Sequence, residues 1–339
     1  MTTALLRVVS AGPGVTVQDG GRAGFLRNGV TGAGPMDPLA FATVNRALGS
    51  QPGTAAIEVS PGGVELSCEA GGVDVAVAGG AFDLMLDGVP LPSSCLAGMR
   101  AGSRLTVRAG RDGCWAYVGV AGIINVPPVL GSRATHVRSG LGGIGGRGLR
   151  PGDLLPVVQT RASGRPPHAI AAPWLARRPD VVRVVLGPQD DYFTAQELQR
   201  FLDGPWRVGR GDRMACLLEG PALAHARGFN IVSDGIAMGA IQVPGSGQPI
   251  VLLADRQPTG GYPKIATVIG ADLGRLAQAR PGTSLRFEAV PVDAAVAARR
   301  EEAAMLAADI RLEPVVRTAF PPEWLMGVNL ISGMVDALE

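Results

Sequence analysis

The sequence predicts a mainly β fold in two domains with a few short helices, and three observations predict it. Short apolar runs rich in Val, Ile and Leu recur along the chain, punctuated by Gly, Pro and Asp, which is the pattern of antiparallel sheets or barrels and not of repeated βαβ units. The 49 glycines are about twice the average share, and aromatic residues are only 4% of the chain. A length of 339 residues suits two ordinary domains with a sizeable core.

In chain order, strands are expected at Leu5–Val9, Ala55–Val59, Val73–Ala78, Arg104–Arg108 and Cys114–Val120, then at Val181–Leu186, Ile231–Val232, Ala240–Val243 and Ile250–Leu253. Apolar residues fall at helical spacing over Pro38–Leu48, with Asp37 as N-cap, and over Thr194–Leu202, with Thr194 as cap. Short echoes suggest an internal duplication. Arg7-Val8-Val9 precedes Gly12-Pro13 as Arg183-Val184-Val185 precedes Gly187-Pro188, and Arg150-Pro151-Gly152 matches Arg280-Pro281-Gly282. Between the halves, a stretch rich in Pro, Arg and Ala lacks strand alternation and reads as a linker. The expected division is a first domain at 1–160, a linker at 161–180, a second domain at 181–290 and a helical tail at 291–339. In that tail Ala294–Ile310 reads as a helix, and Trp324, Leu325, Met326 and Leu330 are placed to cover a domain or touch a partner.

Composition excludes several function classes. A formal net charge of +2, with no block of like charges, argues against a nucleic-acid partner. Apolar runs such as Ile250–Ala254 fall far below the roughly 20 residues of a membrane span, and the start of the chain has no signal-peptide core. Cys68, Cys95, Cys114 and Cys216 lack paired spacing and read as core residues in a reducing cytoplasm. His136, His168 and His225 have no Cys, Asp or Glu beside them at metal-ligand spacing, so no metal site is expected. The run Gly140–Gly145 satisfies a dinucleotide pattern, but Gly146, Gly148 and Pro151 deny it the helix that would cradle a phosphate.

Chemistry is concentrated in Gly228–Asp272, where strand-like runs alternate with polar and Gly/Pro residues. Gln242, Gln257, Thr259 and Tyr262 offer donors and acceptors, while Gly260 and Gly261 admit close backbone approach. Lys264 or Arg256 is available to stabilise a developing negative oxygen, and Asp255 to orient one of them or accept a proton. A second candidate set, Asp19, Arg22, Asn28 and Asp37, reads either as turns and an N-cap or as a ligand contact, with Arg22 and Asn28 suited to a carboxylate or amide. Asn45 and Glu58 are candidates to brace those turns.

Four segments carry a family resemblance: VTVQDGGRAGFLRNGVTGAGPMDPLAFATVNRALGS with AAIEVSPGG, GVAGIINVPPVLGSRAT with LRPGD, DRMACLLEGPAL, and the Gly228–Asp272 stretch. In this order they resemble the biotin-dependent carboxyltransferase-like family, which includes the C-subunit of 5-oxoprolinase, allophanate hydrolase subunit 2 and the carboxyltransferase region of urea carboxylase. The resemblance implies two cyclophilin-like β-barrel domains. It also implies a polypeptide acting with a paralogous carboxyltransferase-like partner, the B-subunit, and with a third oxoprolinase subunit to open a small lactam, 5-oxoproline, to glutamate. ATP would be used in that complex, at a site not assigned to this chain. Carboxyl transfer to a urea-like amide is the alternative, with biotin supplied in trans because no Met-Lys-Met attachment motif is present. A regulatory module that inhibits a sensor kinase with its partner is a third reading.

Overall fold

The computed structural model describes residues 2–316. Thirteen strands, twelve within residues 3–171 and one from the tail, form a branched half-barrel sheet organised on the 16-residue strand Val64–Gly79. The first part of that strand pairs with Thr3–Ala11 and Arg104–Arg108, and the later part with Cys95–Arg100 and Ala116–Val120. Burial alternates from Val64 to Cys68, as in a strand with one wet face, and is continuous from Val73 to Ala78, where both faces are covered. Helix Pro38–Ala47 supplies cover on one side, packing on this strand and on Ala116–Val120. Asp37 starts the helix as expected: its carboxylate accepts the N–H groups of Leu39 and Ala40 at 3.2 Å. A Cβ at Gly119 would sit 2.9 Å from Leu48, so glycine is what lets the helix end approach the sheet.

The second half is a closed barrel of seven strands. Its order is Val181–Leu186, Lys264–Val268, Ala240–Gln242, Ile250–Leu252, Ala215–Glu219, Trp206–Gly211 and Ser284–Ala289. Neighbours are antiparallel except at the closure, where Val181–Leu186 runs parallel to Ser284–Ala289. Helix Ala195–Asp203, capped by Thr194, is fastened by Phe201 stacked on Phe287 at 4.7 Å and by Trp206 Nε1 donating to the Phe201 carbonyl at 2.7 Å. Buried apolar residues of both halves join in one continuous core.

Three local expectations change. Ile231–Val232 is not a strand; Val232 is 92% exposed, and the chain pairs instead at Asp234–Gly235 against Thr259–Gly260. Two apolar residues between Asn230 and Ser233 have no alternation to bury. The linker carries a strand, His168–Ala171, which pairs with Cys95–Arg100 on one side and Arg311–Pro314 on the other. The tail helix spans Val292–Ala307, after which the chain returns to the first half's sheet as that edge strand, so the tail is not purely helical. Both strands are created by pairing across long sequence separations, which local pattern does not encode. The apolar set Trp324 to Leu330 lies outside the described residues.

Candidate functional site

Where the two halves meet, Arg213 is enclosed by two carboxylates. It lies just after strand Trp206–Gly211, and its Nε and Nη2 donate to the Asp255 carboxylate at 2.9 and 2.8 Å. Nη1 donates to Glu58 on strand Ala56–Val59, and Nη2 also to the Gly34 carbonyl at 2.8 Å. Burial opposes the guanidinium charge, but the two carboxylates outweigh it and hold Arg213 protonated. Burial pushes Glu58 upward, against the pull of Arg213 and of its hydrogen bonds from Met36 N and Tyr117 Oη, both 2.8 Å. Tyr117 Oη in turn accepts Asp37 N–H at 2.8 Å, and burial lifts its own pKa well above the ordinary phenol value. The Asp37 carboxylate then accepts Arg177 at 3.0 Å and Gln278 Nε2 at 3.0 Å. A continuous polar relay thus crosses from one half to the other. Above it lies a cleft of about 580 Å³, walled by Pro13, Trp115 and Arg138 from one half and Met214 and Asp255 from the other.

The first-half candidates fasten loops. Asp19 accepts from Gly21 N at 2.9 Å, Ser132 Oγ at 2.6 Å and Arg133 N at 2.5 Å. Arg22 is buried, with Nε on the Val129 carbonyl and Nη2 on that of Ala134, both 2.9 Å, while its Nη1 has no partner among the described residues. Burial lowers the Arg22 pKa, opposed by Asp19 and Asp255. Asn28 is exposed at the end of the 3₁₀ turn Leu26–Asn28, away from these contacts. Glu58 braces Met36 as expected, and Asn45 holds the Thr54 carbonyl at 3.1 Å. The glycine-rich loop packs over Arg22: a Cβ at Gly142 would lie 3.0 Å from Arg22 Nη2. No helix follows that loop, so it does not have the form of a phosphate cradle.

The hairpin residues divide. Asp255 belongs to the triad between the two halves, with both oxygens engaged by Arg213. The others gather on the barrel, where Gln242 and Lys264 are cross-strand partners. Lys264 Nζ donates to Asp234 at 2.7 Å, and Lys264 N to Gln189 Oε1 at 3.2 Å. Gln242 Nε2 reaches the Tyr262 carbonyl at 3.3 Å; Gln257 Nε2 reaches Gln242 Oε1 at 3.5 Å, and Gln257 Oε1 is buried without a partner among the described residues. Gly260 packs closely here: a Cβ would lie 2.6 Å from Gln242 Nε2, so a larger residue would make that side chain shift. Thr259 is exposed opposite Gly235, Gly261 accepts Ile231 N–H at 2.8 Å, and the Tyr262 side chain faces solvent. Arg256 donates Nε to the Ile236 carbonyl at 2.9 Å and meets no carboxylate among the described residues; burial lowers its pKa.

Arg213, Tyr117, Arg177, Gln278, Gln189 and Asp234 complete these networks and were not sequence candidates. Arg213 had a signal, since it sits in the Asp212-Arg213-Met214-Ala215 motif. Asp234 had none. Among the described residues no three His, Cys, Asp or Glu side chains are grouped to hold a metal, and no helix is long and apolar enough to cross a membrane.

A half-barrel and a closed barrel joined through a buried charge relay define a carboxyltransferase-type architecture, and the chain belongs to the family described as carboxyltransferase domain, subdomain A and B, whose model matches residues 28–289. It is 34% identical over 299 residues to the 5-oxoprolinase C-subunit of Escherichia coli (strain K12), covering 88% of this chain and 95% of the relative. The 5-oxoprolinase C-subunit of Haemophilus influenzae is 35% identical over 287 residues, covering 84% and 91%. The crystal structure of the K. lactis urea amidolyase superposes with a TM-score of 0.83 at 28% identity, over 90% of this chain and 20% of that one.

Proposed function

We propose that this chain is the C-subunit of a multi-subunit, ATP-dependent 5-oxoprolinase. The observation that carries the reading is the strip on the barrel, where Lys264, a buried ammonium, is the cross-strand partner of Gln242, whose carboxamide meets that of Gln257, and Gln257 Oε1 is an acceptor without a partner among the described residues. A lactam acid has matching groups: a ring N–H for the free acceptor and oxygens for a cation. Opening the ring breaks the amide C–N bond, adds a water oxygen to the carbonyl carbon and leaves a free amine, with ATP consumed in the complex. In this reading Lys264 and the glutamines hold the lactam. Arg256, which meets no carboxylate among the described residues, is the cation available to the carbonyl oxygen as charge develops there. Asp255 and Arg213 keep the two halves in register. The paralogous B-subunit and the third oxoprolinase subunit complete the site, since the described residues of the strip include no evident general base.

The likeness to urea amidolyase favours one second reading, carboxyl transfer to a urea-like amide. Reconstitution with both partner subunits separates the two. Glutamate and ADP should form together, in a lactam-dependent manner. Turnover of urea that depends on added biotinylated carrier, with none on 5-oxoproline, rejects the first reading in favour of the second. A co-purified complex that turns over neither rejects both.

A further inference from the structure

Lys264 and Asp234 form an unequal pair. The ammonium is 3% exposed on a barrel strand, whereas its carboxylate partner is 52% exposed and belongs to a strand of only two residues, Asp234–Gly235. That strand is held by its pairing with Thr259–Gly260, by Ile231 N donating to the Gly261 carbonyl at 2.8 Å and by Ile236 N donating to that of Pro258 at 3.0 Å. The preceding loop exposes Phe229 and Val232, so little core would be lost if it shifted.

We propose that Asp234 is a resident counter-ion, and that a carboxylate on the incoming ligand takes its place on Lys264. The ligand class, an anionic lactam, rests on the reaction proposed above. A buried ammonium without a partner is costly, and Asp234 satisfies it in the free protein. Exchanging one carboxylate for another conserves both the charge balance and the charge-assisted hydrogen bond. Asp234 is already half in water, so its release costs little desolvation. A neutral lactam cannot make this exchange, because displacing Asp234 would strand the ammonium. Lys264 therefore selects anionic ligands, and Asp234 sets how tightly they are held by competing with them.

The test is calorimetric titration of the reconstituted complex with 5-oxoproline and with the neutral 2-pyrrolidinone. Asp234→Asn removes the competitor, so 5-oxoproline should bind about tenfold more tightly while 2-pyrrolidinone is unchanged. Lys264→Gln should abolish the preference for the acid. Should Asp234→Asn melt early, Asp234→Ser serves the same purpose. Weaker 5-oxoproline binding in the Asp234 variants, equal shifts for both ligands, or binding of neither ligand to wild type overturns the exchange. Selective tightening without lactam-dependent ATP hydrolysis supports the exchange and overturns the reaction; hydrolysis with an indifferent Asp234→Asn does the reverse.

Discussion

Arg213 holds Asp255 by two parallel N–H···O bonds of 2.9 and 2.8 Å, and the same guanidinium reaches across to Glu58 in the first half. One side chain therefore fixes the relative placement of a strand in the first half and a hairpin in the second. A planar fork of five donors can do this; a lysine could not.

Removing that fork strands two carboxylates. Arg213→Met should cost about 3–5 kcal/mol in urea unfolding, the range for breaking a buried ion pair from one side. Adding Glu58→Gln and Asp255→Asn should recover more than half of the loss, because the uncompensated charges go with them. A single variant as stable as wild type would show that the triad contributes nothing net.

Lys264→Ala should leave melting nearly unchanged, since Asp234 is half-exposed and can hydrate. In the reconstituted complex kcat/KM for 5-oxoproline should fall about a hundredfold, within the 2–5 kcal/mol scale of a lost buried charge contact. Wild-type kinetics would remove Lys264 from the site.

Acid unfolding should report Asp272. Burial would raise its pKa, but hydrogen bonds from Arg183 N, Nε and Nη2 at 2.8–3.0 Å outweigh that and hold it below the ordinary value. Its contribution is then present above the unfolded aspartate pKa of about 3.9 and is lost as pH falls through the depressed folded value. Asp272→Asn should be less stable than wild type at pH 7, and the two stability curves should converge below about pH 4. Parallel curves throughout would exclude this linkage.

The four cysteines are free, and burial pushes Cys95 and Cys216 up to about 12 and Cys114 up to about 11. Cys68 is also raised by burial. Thiolate is the reactive form, so iodoacetamide at pH 8 should modify none of them quickly in the native protein and all four in urea. Mass spectrometry after timed quenching reads the outcome, and rapid labelling of Cys95 or Cys216 would contradict their burial.

Eight of the expected strands and both capped helices were legible because their signals are local, whereas the barrel strands Trp206–Gly211, Ala215–Glu219, Lys264–Val268 and Ser284–Ala289 were not expected. Val181–Leu186 and Arg104–Arg108 match their expected bounds, and Asp37 and Thr194 cap as their side chains dictate. His168–Ala171 and Arg311–Pro314 were not legible, since each becomes a strand only through a partner far away in the chain. The site divided for the same reason. Asp255 and Lys264 are nine positions apart in one polar hairpin, yet their partners, Arg213 and Asp234, come from different loops that no local pattern connects to them. Asp19 and Arg22 carry the chemistry of a ligand contact, but the loop carbonyls and amides of 129–134 use most of it.

The strand Arg311–Pro314 closes the edge of a sheet whose other members were synthesised long before it. During translation, at about 5–20 residues per second, the first half must wait with His168–Ala171 unpaired on that side while the entire barrel emerges from the ribosome. For several seconds the nascent chain presents an open edge to neighbouring polypeptides. The barrel, whose ring is complete at Ala289, can close first. Maturation of the first half is thereby placed under the control of a segment made after the whole barrel.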